Sequence, residues 1–168
     1  ITTILSRELP RGETGDPMTE LTLTSPAFDD GGRIPDEYGY TARNINPALD
    51  IDGVPDGTRS LALVVDDPDA VEPAGRVWDH WVVWNIDPVV DVIPKDYTPT
   101  GATEGRNDYG ETGYGGPNPP DREHTYVFTL YALDSEISLD SGATKDDLEA
   151  AMEGHVLETA RLEGTYAP

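Results

Sequence analysis

Apolar residues along this chain recur mainly with a period of two, in short runs separated by Pro, Gly and Asp. The clearest runs are LTLTS (21–25), SLALVV (60–65), WDHWVVWNI (78–86) and HTYVFTLYAL (124–133). Their β-branched and aromatic content is typical of strands, and 17 Gly with 15 Pro indicate frequent turns. The pattern predicts an all-β-dominated fold of mostly antiparallel strands.

A segment near the end of the chain has a helical period instead. The residues that recur at i, i+3, i+4, i+7, i+8 and i+11 are Leu148, Ala151, Met152, His155, Val156 and Thr159. Thr144 and Asp147 form a capping box, which favours a helix start at this point. We expect a helix packed on a sheet, weakened by Gly154, with His155 on its inner face as a core residue.

The length of 168 residues fits a single domain with a core of its own. Residues 1–19 are predicted to be a polar lead-in, and residues 20–168 to be the domain.

The charge balance is strongly acidic, with 33 Asp and Glu against 11 Lys and Arg and a formal net charge of -22. This balance argues against nucleic acid as a partner. Acidic residues are spread evenly and lysine is nearly absent, which favours a halophilic protein whose self-repulsion is screened by concentrated salt.

The chain contains no cysteine, so neither a disulfide nor a thiolate metal site is available. No apolar run reaches the roughly 18 to 20 residues of a membrane span, and residues 1–16 lack a hydrophobic signal core. We expect no integral membrane association and a cytoplasmic location.

Two histidines stand at the start of strand-like runs. If 60–66 and 78–86 form an antiparallel pair, Asp67 and Asp69 come close to His80 at one sheet edge. Strict alternation would place Trp78, His80, Val82, Trp84 and Ile86 on one face. The second strand repeats this arrangement, with His124, Tyr126, Phe128 and Leu130 on one face.

Imidazoles, a tyrosine hydroxyl and the N–H groups of a Gly/Pro loop suit a small anion, because each can donate a hydrogen bond. Asp67 and Asp69 would orient the imidazoles or receive a cationic part of the ligand. The alternative is that each histidine is simply a hydrogen-bonded core residue. A metal-dependent hydrolase is a further alternative, since two His and one Asp can hold zinc, although no HExxH spacing is present. No nucleophile motif is apparent.

Four ordered motifs resemble the phosphatidylethanolamine-binding protein family, in its bacterial and archaeal Raf kinase inhibitor-like branch: DPDA (67–70), WDHWVVWNI (78–86), GYGGPNPP (113–120) and HTYVFTLYALD (124–134). The resemblance implies a Greek-key β fold with a large central sheet, a smaller sheet and a C-terminal helix. It also implies an anion pocket and no defining catalytic activity or cofactor. The matching pocket residues are Asp67, Pro68, Asp69, Trp78, His80, Gly116, Asn118, Pro119, His124 and Tyr126.

Two positions depart from the family pattern. Thr125 replaces the usual Arg, and Val71 and Glu72 precede Pro73 where many members continue DPDAP. From the motifs and the resemblance we expect a non-enzymatic protein whose ligand is phosphate, acetate or a phosphorylated head group. His80 and His124 would set the charge, Tyr126 would donate its hydroxyl, and residues 116–118 would offer backbone N–H groups, including that of Gly116. Affinity should then weaken as pH rises above the histidine pKa values. The alternative suggested by the family name is a protein partner, with the chain inhibiting a kinase or protease.

Overall fold

The predicted strands are confirmed in the computed structural model, which describes residues 20–168. The proposed lead-in, residues 1–19, lies outside the described residues. The strands are β1 (Thr22–Thr24), β2 (Gly32–Arg33), β3 (Leu49–Asp52), β4 (Ser60–Asp67), β5 (Trp78–Ile86), β6 (Val92–Ile93), β7 (Thr103–Glu104), β8 (His124–Leu133) and β9 (Val156–Tyr166). The α-helices are α1 (Val71–Ala74) and α2 (Lys145–Met152), and single 3₁₀ turns cover Asp36–Tyr38 and Pro68–Ala70.

The described strands form two sheets. The large sheet has the order β2-β9-β8-β4-β5-β7 and is antiparallel except where β2 runs parallel to β9. The small sheet has the order β1-β3-β6 and is antiparallel throughout. Two sheets with few helices confirm the predicted fold class.

The large sheet is covered on both faces, so its central strands are almost continuously buried. One face packs on the small sheet, and we call this the inter-sheet core; it includes Leu63, Trp81, Phe128 and Ile51. The other face packs on α2 and residues 137–139, and we call this the helix-side core; it includes Val82, Trp84 and Leu148.

Two bulges in β5 alter which face each of its residues occupies. Val65 pairs with Trp81 and Asp66 with Asp79, so His80 is an extra residue in the ladder. A second irregularity precedes Ile86, where Asn85 has a φ of 57°. The prediction of one shared face for alternate β5 residues is therefore wrong: Val82 and Trp84 are in the helix-side core and Ile86 is in the inter-sheet core.

The helix is confirmed with its capping box, but it is shorter than its periodicity indicates. It ends at Met152, Gly154 follows with a φ of 82°, and Val156 begins β9. The prediction that His155 lies in the core is wrong, because its side chain is 46% exposed and bonded to Asp134. A helix continuing to Thr159 would remove the start of β9, which pairs with residues 131–133 of β8.

None of the helices formed by residues 20–168 is both long and apolar enough to cross a bilayer.

Candidate functional site

The site lies at one edge of the large sheet, where three strand ends meet. Asp67 ends β4, Trp78 begins β5 directly opposite it, and His124 begins β8. Antiparallel pairing brings these ends together, as the sequence predicts. Between them lies a cavity of about 220 Å³, which we call the edge cavity.

Most of the predicted site residues border this cavity. Those that line it are Asp67, Trp78, His80, Asn118, Pro119, His124 and Tyr126. Five further lining residues were not predicted, namely Ala70, Pro73, Ala74, Tyr109 and Pro120. The structure thus gathers the two histidine motifs and the Gly/Pro loop around one space.

Pro68 and Asp69 support the cavity from outside instead of lining it. Pro68 is exposed and begins the 3₁₀ turn that follows β4. The Asp69 N–H donates to Asp67 Oδ1 at 2.9 Å, and Asp69 Oδ2 accepts the Thr125 N–H at 2.8 Å. Asp69 therefore fixes the ends of β4 and β8 and is not placed beside His80. Thr125, where the family usually has Arg, contributes this backbone bond.

Gly116 does not line the cavity, and its N–H is not free for a ligand. That N–H donates to Asn44 Oδ1 at 2.8 Å, and the Gly116 carbonyl accepts the Tyr109 hydroxyl at 2.8 Å. A Cβ at this position would collide with the Tyr38 carbonyl, so only glycine permits the close approach. The expectation that Gly116 offers its N–H to a ligand is wrong for this reason.

His124 is held between two carboxylates. Its Nδ1 lies 2.6 Å from Asp67 Oδ2 and its Nε2 lies 2.7 Å from Asp121 Oδ1. Burial alone would lower the pKa of His124, but bonding to Asp67 and Asp121 outweighs it and raises that pKa. Both ring N–H groups of the imidazolium are used inside the protein. His124 consequently orders the site but has no N–H left for a ligand.

His80 is neutral and has one free nitrogen. Its Nδ1 lies 2.7 Å from the Gly115 carbonyl oxygen, which can only accept, so Nδ1 carries the proton. Burial lowers the pKa of His80 to about 4, against the raising effect of that carbonyl. His80 is 2% exposed, and its Nε2 has no hydrogen-bond partner among the residues that the structure describes. The expectation that both histidines supply positive charge to a ligand is therefore wrong.

Two other residues that line the cavity also hold buried polar groups without hydrogen-bond partners. The Trp78 Nε1–H and the Tyr126 hydroxyl make no hydrogen bond within the described residues. Buried polar groups are nearly always paired, and an unpaired one costs about 1–3 kcal/mol. The residues that line the cavity thus carry two unused donors together with the unused acceptor on His80.

Tyr109 is the aromatic wall that the sequence pattern missed. It stacks on Tyr40 at 3.8 Å between ring centroids and meets the His80 ring edge-on at 5.7 Å. Tyr109 lies in the NDYGETGYGG loop, outside any run with strand periodicity. The only sequence signal for it is a tyrosine in a glycine-rich loop next to the predicted site.

The mouth of the cavity is where the sequence departs from the family pattern. Val71–Ala74 forms the single-turn helix α1, which Gly75 ends with a φ of 80°. Pro73 and Ala74 are exposed and line the opening together with Pro120. The Val71 and Glu72 departure is accommodated within this turn.

No cluster of three His, Asp or Glu side chains suited to a metal ion occurs in the part of the chain that the structure describes. Asp67, His124 and Asp121 form a linear hydrogen-bonded chain in which both histidine nitrogens are occupied. The metal-dependent hydrolase finds no support in this geometry.

Comparison with known proteins identifies what the chain is similar to. The family model described as phosphatidylethanolamine-binding protein matches residues 24–167. A UPF0098 protein from Methanothermobacter thermautotrophicus is 46% identical over 151 residues, covering 87% of this chain and 98% of the relative.

Two crystal structures give the same result. A phosphatidylethanolamine-binding protein homolog from Chlamydia trachomatis has a TM-score of 0.82 at 42% identity, covering 89% of this chain and 98% of its own. YbcL from E. coli, described as a new member of the mammalian family, has a TM-score of 0.81 at 34% identity, with 88% and 98% coverage.

Proposed function

Because the chain belongs to the phosphatidylethanolamine-binding protein family, we propose that it is a non-enzymatic binding protein whose edge cavity holds a small oxyanion. The ligand classes are phosphate, a carboxylate such as acetate, and a phosphorylated head group. The observation that carries the proposal is that three residues lining the cavity each hold a buried polar atom with no hydrogen-bond partner in residues 20–168: Trp78 Nε1, His80 Nε2 and Tyr126 Oη. A ligand that completes these bonds removes the cost of leaving them unpaired.

Neutral donors, and not histidine charge, are what attract the anion in this proposal. The Trp78 N–H and the Tyr126 O–H donate to ligand oxygens within apolar walls, where a hydrogen bond is electrostatically stronger than in water. The His124 imidazolium offsets part of the negative charge of Asp67 and Asp121. The His124 ring lies 6.3 Å from the Tyr126 ring and so favours an anion at that hydroxyl by its field alone.

The size of the cavity limits the ligand. Its volume of about 220 Å³ is below the roughly 300–1,000 Å³ of pockets for drug-sized molecules. A phosphoryl or carboxyl group with a short substituent suits such a space, and longer chains would extend past Pro73 and Pro120. The net charge of -22 opposes approach to an anionic bilayer or to nucleic acid unless salt screens it.

The acidic surface supports adaptation to concentrated salt. At about 1 M salt the Debye length is roughly 3 Å, so that most surface carboxylates no longer repel one another. We propose that this acidic surface adapts the protein to concentrated salt, and that the cavity has no part in that adaptation.

The test is calorimetric titration with phosphate and with phosphoethanolamine at high potassium chloride. Tyr126→Phe removes one unpartnered donor, and we expect about tenfold weaker binding for roughly 1.4 kcal/mol. Tyr131→Phe is the matched control, since Tyr131 is on the same strand but packs on the helix-side core. Equal affinity in the wild type and Tyr126→Phe, or no binding by the wild type, would refute the site.

The second class of function is a protein-interaction module that inhibits a kinase or protease. It would act through the cavity mouth, and its binding partner should then change when the cavity is filled. Pull-down from a salt-rich lysate with and without methyl phosphate separates this class from a simple anion binder.

A further inference from the structure

The hydrogen bonding of His80 restricts which anion the edge cavity can take. The Gly115 carbonyl fixes the proton on Nδ1, so Nε2 faces its surroundings with a lone pair. A lone pair repels the oxygens of a fully deprotonated anion and accepts only from a group that carries a hydrogen. Trp78 can only donate and Tyr126 can donate, so a ligand that completes all three bonds as proposed presents acceptors to these two groups and a donor to His80.

Building on the anion site proposed above, we propose that the edge cavity selects a protonated phosphoryl group, one that keeps a P–OH. The hydroxyl donates to His80 Nε2, while unprotonated oxygens accept from the Trp78 N–H and the Tyr126 O–H. Inorganic phosphate and the monoanion of a phosphomonoester carry this pattern. Sulfate, acetate and the phosphodiester of an intact phospholipid do not.

The surroundings of His80 keep it an acceptor. Tyr126 from β8 and Tyr109 from the 105–115 loop meet its ring edge-on at 5.2 and 5.7 Å, and His80 is almost fully buried. The His124 imidazolium on β8 opposes a second cation, whereas Asp108 on the loop favours one. Burial exceeds all of these effects and holds the pKa of His80 at about 4, below the range in which the test is made.

The first experiment compares tetrahedral anions of similar size by calorimetry at high potassium chloride. Phosphate and arsenate carry a hydroxyl near neutral pH, and sulfate and selenate do not. Sulfate and selenate would leave the buried His80 Nε2 unpaired. We therefore expect them to bind about tenfold to a hundredfold more weakly than phosphate. Dimethyl phosphate, which represents the lipid phosphodiester, should bind as weakly as sulfate.

The second experiment uses the ligand's own proton. Methyl phosphate loses its only P–OH near its second pKa of about 6, whereas inorganic phosphate keeps at least one hydroxyl from about pH 5 to about pH 8. Methyl phosphate affinity should therefore fall as pH rises through this range, relative to that of inorganic phosphate. Titration of His124 or of any other protein group affects both ligands, so the ratio of the two affinities isolates the ligand proton.

The variant His80→Gln places an amide at the same point, which can either donate or accept. The phosphate-to-sulfate ratio should then fall toward one, while His155→Gln, at the exposed histidine bonded to Asp134, should keep the wild-type ratio. The wild-type comparisons need no variant, so they stand even if His80→Gln folds poorly.

The outcomes separate this inference from the anion site itself. Equal wild-type binding of phosphate and sulfate, or tighter binding of sulfate, overturns the selection and leaves the anion site intact. No binding of any oxyanion overturns both.

Discussion

Replacing Lys145 with methionine should lower the free energy of unfolding by about 3 kcal/mol, because it leaves two largely buried carboxylates without their cation. Lys145 Nζ lies 2.8 Å from Asp79 Oδ1 and 3.2 Å from Asp66 Oδ2. These contacts join the start of α2 to the ends of β4 and β5 that support the edge cavity. The residues next to these two carboxylates, Asp67 and His80, line it.

The magnitude follows from burial. The exposed fractions of the side chains are 13% for Lys145, 8% for Asp79 and 23% for Asp66. Removing one partner of a fully buried ion pair costs about 3–5 kcal/mol, and partial exposure of Asp66 places this cluster at the low end. Lys145 is also at the positive end of α2, where the helix dipole disfavours a cation, so the ion pairs account for its position.

The chain offers a matched control in Lys95, its only other lysine. Lys95 is 44% exposed and pairs with Glu37, so Lys95→Met should change stability little. Urea unfolding at fixed potassium chloride, followed by the fluorescence of the buried Trp81 and Trp84, measures both variants. A loss of about 3 kcal/mol corresponds to a melting temperature lower by roughly 6–12 °C for a chain of this size.

The pH dependence provides a second signature. Burial already raises the pKa of Asp79, and Lys145 opposes that rise, so the pKa should rise further in Lys145→Met. A carboxyl whose folded pKa exceeds its unfolded value loses stability as pH rises, so the variant's deficit should shrink on acidification. A loss no larger than that of Lys95→Met, or one that is equal at every pH, would refute this account.

Three further outcomes are expected. His124 has a pKa above the ordinary 6.5, so its stabilisation is complete below about pH 6.5 and is lost as pH rises through the folded pKa. Asp121→Asn removes one carboxylate from His124 and should move that loss to lower pH in a urea-unfolding series, whereas an unchanged profile would show that Asp121 contributes nothing. Gly116→Ala should cost about 1–3 kcal/mol through collision with the Tyr38 carbonyl and should weaken phosphate binding, whereas Gly110→Ala adds backbone strain without that collision. The melting temperature should rise as potassium chloride increases from about 0.1 to about 1 M, because screening relieves the repulsion of a net charge of -22; a flat or falling curve counts against salt adaptation.

Strand positions were predictable because their patterns are local. β5 and β8 have the predicted bounds, Trp78–Ile86 and His124–Leu133, since β-branched and aromatic residues are continuous there and loops flank them. The end of α2 was not predictable from periodicity, because residues 148–159 fit a helix in sequence. Pairing of β9 with β8 and the left-handed Gly154 decide against it.

The sequence predicted which residues come together at the site, but not the hydrogen bonds between them. Antiparallel pairing alone brings Asp67, His80 and His124 to one edge. Which carboxylate bonds to which histidine depends on small differences in distance between residues far apart in the sequence. Sequence spacing does not specify such differences. The sequence predicted only that Asp67 or Asp69 would orient the imidazoles, and the structure shows that Asp67 bonds to His124.

Because His80 is an extra residue in β5, the number of residues between Asp79 and Trp81 determines which face of the sheet its side chain occupies. With unbroken alternation from Trp81, Asp79 would face the small sheet and His80 would face α2. A homologue that keeps this histidine but has one residue fewer before the tryptophan would retain the motif and lose the binding wall. Sequence comparison within this family should therefore score the spacing from Asp79 to Trp81 together with the histidine, because the spacing decides which face of the sheet the imidazole occupies.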